Sequence, residues 1–445
     1  MFLIKKRELA LKSVSAVVSL LVFAAFGQTV LKNTVNMPSY DDYNATISVI
    51  RSFYFNTVDV KQQLAALFDP HNEHRIVLSR ISAVVYYGLF DQLNFGSLIL
   101  YQNFYLLGTF GLILAILKKI QIRVWPILIP VSFFLFSLSF WQVALYYSCG
   151  IQHYPVTLFT MLSLYWLLSA QRVGSWYHFG AVLAALIAIF SFGNGILVIP
   201  LALLLLYLQK KYRLMPIWIG MAFMYFLLQM FSHTGVTRDL SLFRIDWAMR
   251  LFFTYLGSFV YVSSYDSPWH YSNIILCMVV GAVVFYYWLK LVWNGYAFRN
   301  PLLFCLLCLP ILTGILIAIS RFDTKAAGGI APRYMFFTTF IPIWVISILY
   351  DTGKLKKNLL LPLYLTTGLL WCLSYSTNSV LIKDFNQQNK ETLSAWMKDN
   401  SVPLVYFDVI HTQAHGQLLQ WALTHHVYQV PPELLEEQQI TTIAQ

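Results

Sequence analysis

Residues 11–31 read LKSVSAVVSLLVFAAFGQTVL and contain a single charge, Lys12. As an α-helix rising 1.5 Å per residue, a run of this length covers the ~30 Å hydrocarbon core of a bilayer. Basic residues stand before it (Lys5, Lys6, Arg7), and the acidic pair Asp41 and Asp42 follows shortly after it. Further apolar runs lie near 95–117, 124–147, 153–170, 179–193, 195–209, 214–231, 273–293, 301–320, 334–350 and 358–376. The 445-residue chain is 58% hydrophobic, 17% aromatic and only 11% charged. A soluble domain carries about 25% charged residues, and in water this composition would leave too much apolar surface exposed. The chain therefore reads as an all-α polytopic membrane bundle of about eleven transmembrane helices. Soluble enzyme, nucleic-acid binder and secreted disulfide scaffold are excluded as readings of the whole chain.

The net charge of +11 is explained by topology. Alternate connections are short and basic: Lys5–Arg7 with Lys12, Lys118 and Lys119 with Arg123, Arg172, Lys210 and Lys211 with Arg213, Lys290 with Arg299, and Lys354 with Lys356 and Lys357. These segments hold 16 of the 30 Lys and Arg residues but only Glu8 and Asp351 of the 19 acids. Such asymmetry is the positive-inside signal, and it predicts a cytoplasmic N-terminus and an outer C-terminus.

Two stretches decide the count. Residues 179–209 as one helix would run about 46 Å, too long for the bilayer, so two short spans turning at Gly193–Gly195 are expected. The apolar segment 251–264 is expected at the outer interface or as a re-entrant piece, because a crossing there would expose Lys354–Lys357. Lys5–Arg7 before an apolar stretch is signal-peptide-like, but no small-x-small cleavage site follows, and a retained first helix is expected. Cys149, Cys277, Cys305, Cys308 and Cys372 lie in or beside spans and read as small buried hydrophobes rather than redox or metal groups.

Chemistry is expected on the outer side, in residues 32–94, 321–333 and the tail 377–445. The cytoplasmic connections are too short for a nucleotide pocket, and no glycine-rich phosphate loop follows a strand. Asp41, Asp42 and Tyr43 stand at the membrane boundary, where a carboxylate is costly unless hydrated, paired or used. One of the two, alternating in direction along an extended stretch, can accept a proton from an acceptor hydroxyl; a helix cap is the plainer alternative. His71, Asn72, Glu73, His74 and Arg75 bring imidazoles, a carboxylate and a guanidinium to the surface. Sugar or phosphate binding fits them better than metal, since their spacing matches no zinc pattern. In the helix that follows, Val77, Ile81, Val84 and Val85 share one face and Arg75, Ser79, Ser82 and Tyr86 another, the pattern of a helix lying in the interface.

Arg321, Lys325, Arg333 and Tyr334 frame a loop with Gly328 and Gly329. Arginine forks and close glycine backbone suit an anionic headgroup, whether substrate or ordinary lipid. Arg238, Asp239, Arg244, Asp246 and Arg250 form a third polar set, read as solvated helix-surface charge. Tyr146–Tyr147, His153–Tyr154, Trp176–Tyr177 and Trp269–Tyr271 are assigned to the interfacial aromatic belt. The tail reads as a small α/β outer domain, with helices near Glu391–Lys398 and Thr412–Thr424 and a strand over Val402–Asp408. His411, His415, His425 and His426 are dispersed in it.

A first helix followed by an acidic pair, an outer loop with interfacial helices, a short-looped bundle and an outer C-terminal domain resembles the GT-C glycosyltransferases. These use polyprenyl-phosphate sugars as donors. The stretch 71–75 and the loop ending Arg333–Tyr334 are most similar to bacterial O-antigen enzymes, including serotype-converting glucosyltransferases. The resemblance covers residues 1–376 in layout and only those short pieces in motif; the tail 377–445 adds nothing to it. It implies an inverting glycosyltransferase in the bacterial inner membrane that acts on cell-surface polysaccharide, with Asp41 as base and Asp42 orienting it. Tyr43, His71, Glu73, His74 and Arg75 would bind substrate, and Arg321, Lys325, Arg333 and Tyr334 the lipid phosphate. Donor, glycan acceptor and lipid are the implied partners. No cofactor is implied beyond a divalent cation, on which members of the family differ. An O-antigen polymerase or ligase is the nearest alternative. A transporter or flippase would want charge at mid-membrane and a repeat between halves, and the chain shows neither.

Overall fold

The computed structural model describes residues 2–56, 59–71, 74–230, 243–263, 267–322, 330–404 and 409–434. Among them, eight helices are long and apolar enough to cross a membrane. They lie in α1 (Phe2–Asn33), α5 (Phe95–Lys119), α6 (Trp125–Leu145), α10 (Tyr212–Met230), α12 (His270–Trp293), α13 (Pro301–Ser320), α14 (Pro332–Asp351) and α15 (Leu360–Lys398). The other segments expected to span are helical but differ in kind. α7 (Tyr147–Ser169) has the length, yet Gln152, His153, Thr157, Thr160 and Ser163 are buried along it, which makes it a polar-cored central helix. α8 (Trp176–Ile189) and α9 (Gly193–Leu208) form the expected short pair. At their turn a Cβ on Gly195 would lie 2.0 Å from the Ala188 carbonyl oxygen, so only glycine permits the close return.

Irregular backbone inside the bundle keeps its hydrogen bonds. The break between α6 and α7 leaves carbonyls that the Gln102 amide takes up, donating to Val143 O (3.1 Å) and Tyr146 O (3.0 Å), while Asn103 donates to Ala144 O (2.9 Å). Without water, side chains must satisfy such groups. α11 (Ile245–Gly257), 13 residues or about 20 Å long, is too short to cross and packs on α12 and α13. Cβ atoms on Gly257 and Gly281 would lie 1.9 Å from Cys277 O and 2.0 Å from Phe253 O, so the two backbones touch there. Small residues at such crossings are how helices pack where no water drives them together. Cys305 and Cys308 are buried free thiols.

The expected α/β tail is corrected. α15 continues unbroken from the bundle across residue 377, 39 residues and about 58 Å in all. No Pro or Gly interrupts it after Gly368, and Asn378, Ile382, Phe385, Leu393 and Trp396 fall on one buried stripe. α16 (Val409–Thr424) follows. Val402–Leu404 form no strand, and residues 405–408 lie outside the described residues. The only β-type pairing in the described tail is an isolated bridge from Tyr428 to Leu93. The tail packs on the loop after α1, so Leu393, Trp396, Leu419 and Tyr428 share one apolar cluster with Met37, Tyr43, Ile50 and Phe95. Together they form a layer, richer in polar residues than the bundle helices, that packs on the bundle through Phe95 and Tyr147.

That layer also holds α2 (residues 43–55), α3 (Val60–Phe68) and α4 (Val77–Phe90). In α2 the Ser48 and Asn56 amides bond five residues back, a wide π geometry frequent at functional sites. α4 turns the opposite way from a soluble amphipathic helix. Ser79, Arg80 and Ala83 are buried, whereas Ile81, Val85, Leu89 and Phe90 are exposed. An outward apolar stripe is stable only where lipid meets it.

Gly281→Leu is expected to separate α11 from α12 and lower the thermal midpoint of the purified protein, an overpacking cost of at least about 1–3 kcal/mol. Gly220→Leu, where nothing lies within 4 Å of the new Cβ, should leave the midpoint nearly unchanged.

Candidate active site

The loop from Met37 to Asp42 is held by a carboxylate. Asp42 is 1% exposed; it accepts hydrogen bonds from Ser39 N (2.9 Å) and from Ser148 N at the start of α7 (2.9 Å). α7 has no side-chain cap of its own, so Asp42 supplies one from a distant part of the chain. Burial pushes its carboxyl up to about 7, against the pull of the Ser39 and Ser148 amides. Two residues earlier, Tyr40 sits at φ +49°, a left-handed conformation that costs a non-glycine residue about 1–3 kcal/mol. Its ring offsets this by stacking on Phe385 (centroids 5.5 Å apart) and leaning on Tyr146 (5.2 Å).

This turn sends Asp41 and Asp42 to different environments. Asp41 is half-buried, and its charge is felt by His71, Cys149 and Arg333. Burial lowers the pKa of His71, Asp41 opposes that shift, and Arg80 reinforces it. Arg333 stands at the start of α14, its backbone amide on Gln142 Oε1 (3.3 Å) and its guanidinium 5.1 Å from the Tyr334 ring centroid. Arg321 Nε donates to the Tyr334 hydroxyl at 3.4 Å, so two guanidinium groups flank one phenol. Behind Arg333, Trp141, Tyr146 and Phe385 form an aromatic wall with centroids 4.8–5.6 Å apart.

A second wall surrounds His153, 2% exposed on α7. Its ring lies between Phe192 (4.6 Å) and Phe337 (5.1 Å). Nδ1 bonds to Cys149 O (2.8 Å), while Nε2 is buried without a partner. His74 joins this group, edge-on to Phe192 at 5.0 Å and pressed onto Gly193, where a Cβ would come within 2.2 Å of its Nδ1.

The structure thus brings Asp41, His71, His74, Arg321, Arg333 and Tyr334 to one side of α7. Other expected site residues go elsewhere. Tyr43 is buried, stacking on His415 (5.0 Å). Arg75 donates to the carbonyls of Phe68 and Leu228 (3.4 Å for the latter), closing the C-terminal ends of α3 and α10. Glu73, Lys325, Arg238 and Asp239 lie outside the described residues. Arg244 and Asp246 form an exposed ion pair of 2.8 Å, a surface contact of little energetic weight. His425 stacks on Trp421 at the surface. Among the described residues no three His, Cys, Asp or Glu side chains converge as metal ligands.

Arg80, Tyr40, Gln142 and Phe385 were not legible as site residues, and Tyr146 and His153 read as belt aromatics. Only the left-handed turn and the packing of α15 bring them inward. No family model, curated protein or solved structure matches this chain.

Asp42 predicts a pH dependence. A carboxyl whose folded pKa is raised stabilises the folded state fully below its unfolded value of 3.8, and that contribution is lost as pH rises through about 7. The wild-type thermal midpoint is expected to fall between pH 5 and pH 8. Asp42→Asn, which still offers an oxygen to Ser39 N or Ser148 N, should flatten that slope.

Proposed function

We propose that this protein is a glycosyltransferase that moves a sugar from a polyprenyl-phosphate donor to a glycan or lipid-linked acceptor at the outer membrane surface. Modification of O-antigen or another cell-surface polysaccharide is the setting we propose, with the polar layer facing the periplasm of a bacterial inner membrane. One observation carries the reading: a half-buried carboxylate, Asp41, stands close enough to the half-buried Arg333 for its charge to act on that guanidinium. A base at Asp41 and a phosphate ligand at Arg333 would then share one site beside the aromatic wall of Trp141, Tyr146 and Phe385.

In this reading the donor enters laterally from the bilayer with its phosphate at Arg333 and Arg321. The acceptor hydroxyl attacks the anomeric carbon as its proton passes to the Asp41 carboxylate. The bond from that carbon to the phosphate oxygen breaks, and the phosphate leaves with its charge on the two guanidinium groups. Trp141, Tyr146 and Phe385 exclude water, which would otherwise compete as acceptor. Direct displacement of this kind inverts the anomeric centre.

The arginine pair around Tyr334 also favours a second reading, an O-antigen polymerase or ligase, in which the arginines dominate and Asp41 is dispensable. Transfer of radiolabelled sugar from a panel of polyprenyl-phosphate donors by the purified protein separates the two. Asp41→Asn is expected to lose about 10²–10⁴-fold in rate while keeping the wild-type thermal midpoint, and Arg333→Ala about 10²–10³-fold. Full activity in Asp41→Asn would turn the assignment to the second reading. Absence of transfer by wild type from every donor would end the first.

A further inference from the structure

Away from Asp41, the end of α15 and one face of α16 enclose a cleft of about 430 Å³. Gln413, Gln417 and Gln420 occupy one stripe of α16, spaced as successive turns of a helix require. Asn400 faces them across the opening and donates to Gln420 Oε1 at 3.4 Å. Gly416 lies between the glutamines, and a Cβ there would stand 2.9 Å from the indole Nε1 of Trp396. Trp396 is 2% exposed and forms the base of the cleft, and its N–H has no hydrogen-bond acceptor. Among the described residues, no charged side chain lines the cleft.

We propose that this cleft binds a neutral carbohydrate chain. Side-chain amides each present a donor and an acceptor, the combination that sugar hydroxyls, themselves both donor and acceptor, pair with most completely. The lack of charge disfavours phosphate, acidic peptide and polyanion alike, since each would be desolvated without a counter-charge. The volume falls within the ~300–1,000 Å³ of small-ligand sites.

The position ties the cleft to the candidate active site. His415, next to Gly416, points to the other face of α16 and stacks on Tyr43, the neighbour of Asp42. A chain held in the cleft therefore lies about one helix diameter, roughly 10 Å, from the loop that aims Asp41. Carbohydrate binding stands without the transfer reaction; its role as an acceptor subsite rests on the function proposed above.

The test uses the full chain in lipid nanodiscs free of glycosidic detergent, titrated calorimetrically with maltohexaose, isomaltohexaose, cellohexaose and chitohexaose. At least one is expected to bind, and the Gln413→Ala/Gln417→Ala double variant should weaken that affinity about tenfold or more. Both glutamines are exposed, so the variant should keep the wild-type thermal midpoint. Asp41→Asn should bind as wild type does, and oligosaccharide binding by a wild type that transfers sugar from no donor would uphold the cleft while ending the transferase reading. Failure of all four oligosaccharides, or equal affinity in the double variant, would overturn the proposal.

Discussion

A single buried carboxylate organises the polar layer. Asp42 joins the Ser39 amide in the turn after α1 to the Ser148 amide at the start of α7, two segments more than a hundred residues apart. Each of those amides would cost about 1–3 kcal/mol if left buried and unpaired, so the loop and the helix end hold each other in place. The same contact explains the left-handed turn at Tyr40. With Asp42 committed inward, the chain reverses sharply enough to leave Asp41 facing Arg333. The acidic pair is thus divided between one buried tether, Asp42, and one half-buried carboxylate, Asp41.

The rest of the site is aromatic rather than ionic, and the membrane setting gives the reason. At the bundle boundary an arginine without water needs partners of delocalised charge, and Tyr334 lies against Arg333 while Tyr40 and Tyr146 stand close enough to feel its charge. His153, held between Phe192 and Phe337 with one nitrogen tied to a carbonyl, is fixed in tautomer as well as position.

α15 connects these features to the second, sugar-suited cleft. Its stripe of buried residues begins in the bundle at Thr367 and Ser374, passes Phe385 at the aromatic wall, and ends at Trp396 under α16. One rigid helix thereby sets the spacing between the Arg333 pocket and the cleft. Few of these residues stand out in the sequence, where Phe385 and Trp396 look like ordinary apolar residues of a separate small domain.

Much of the bundle was nevertheless legible. Runs of apolar residues must become helices in a bilayer because each peptide group has to bond within its own segment, and the expected spans are all helical. The short turn at Gly193–Gly195 was readable for a similar local reason, the length limit of the membrane. The same local reading erred on the tail, because whether a stretch such as Val402–Leu404 pairs as a strand depends on partners elsewhere in the chain. Sequence by itself therefore determined the membrane bundle and pointed to Asp41, Asp42 and the arginines as candidates, since composition and length act residue by residue. Tertiary structure alone decided that Asp42 is a tether, that Arg75 closes helix ends, and that Tyr40, His153 and Phe385 line the site. Those roles are set by contacts between segments far apart in the chain, which no local pattern encodes.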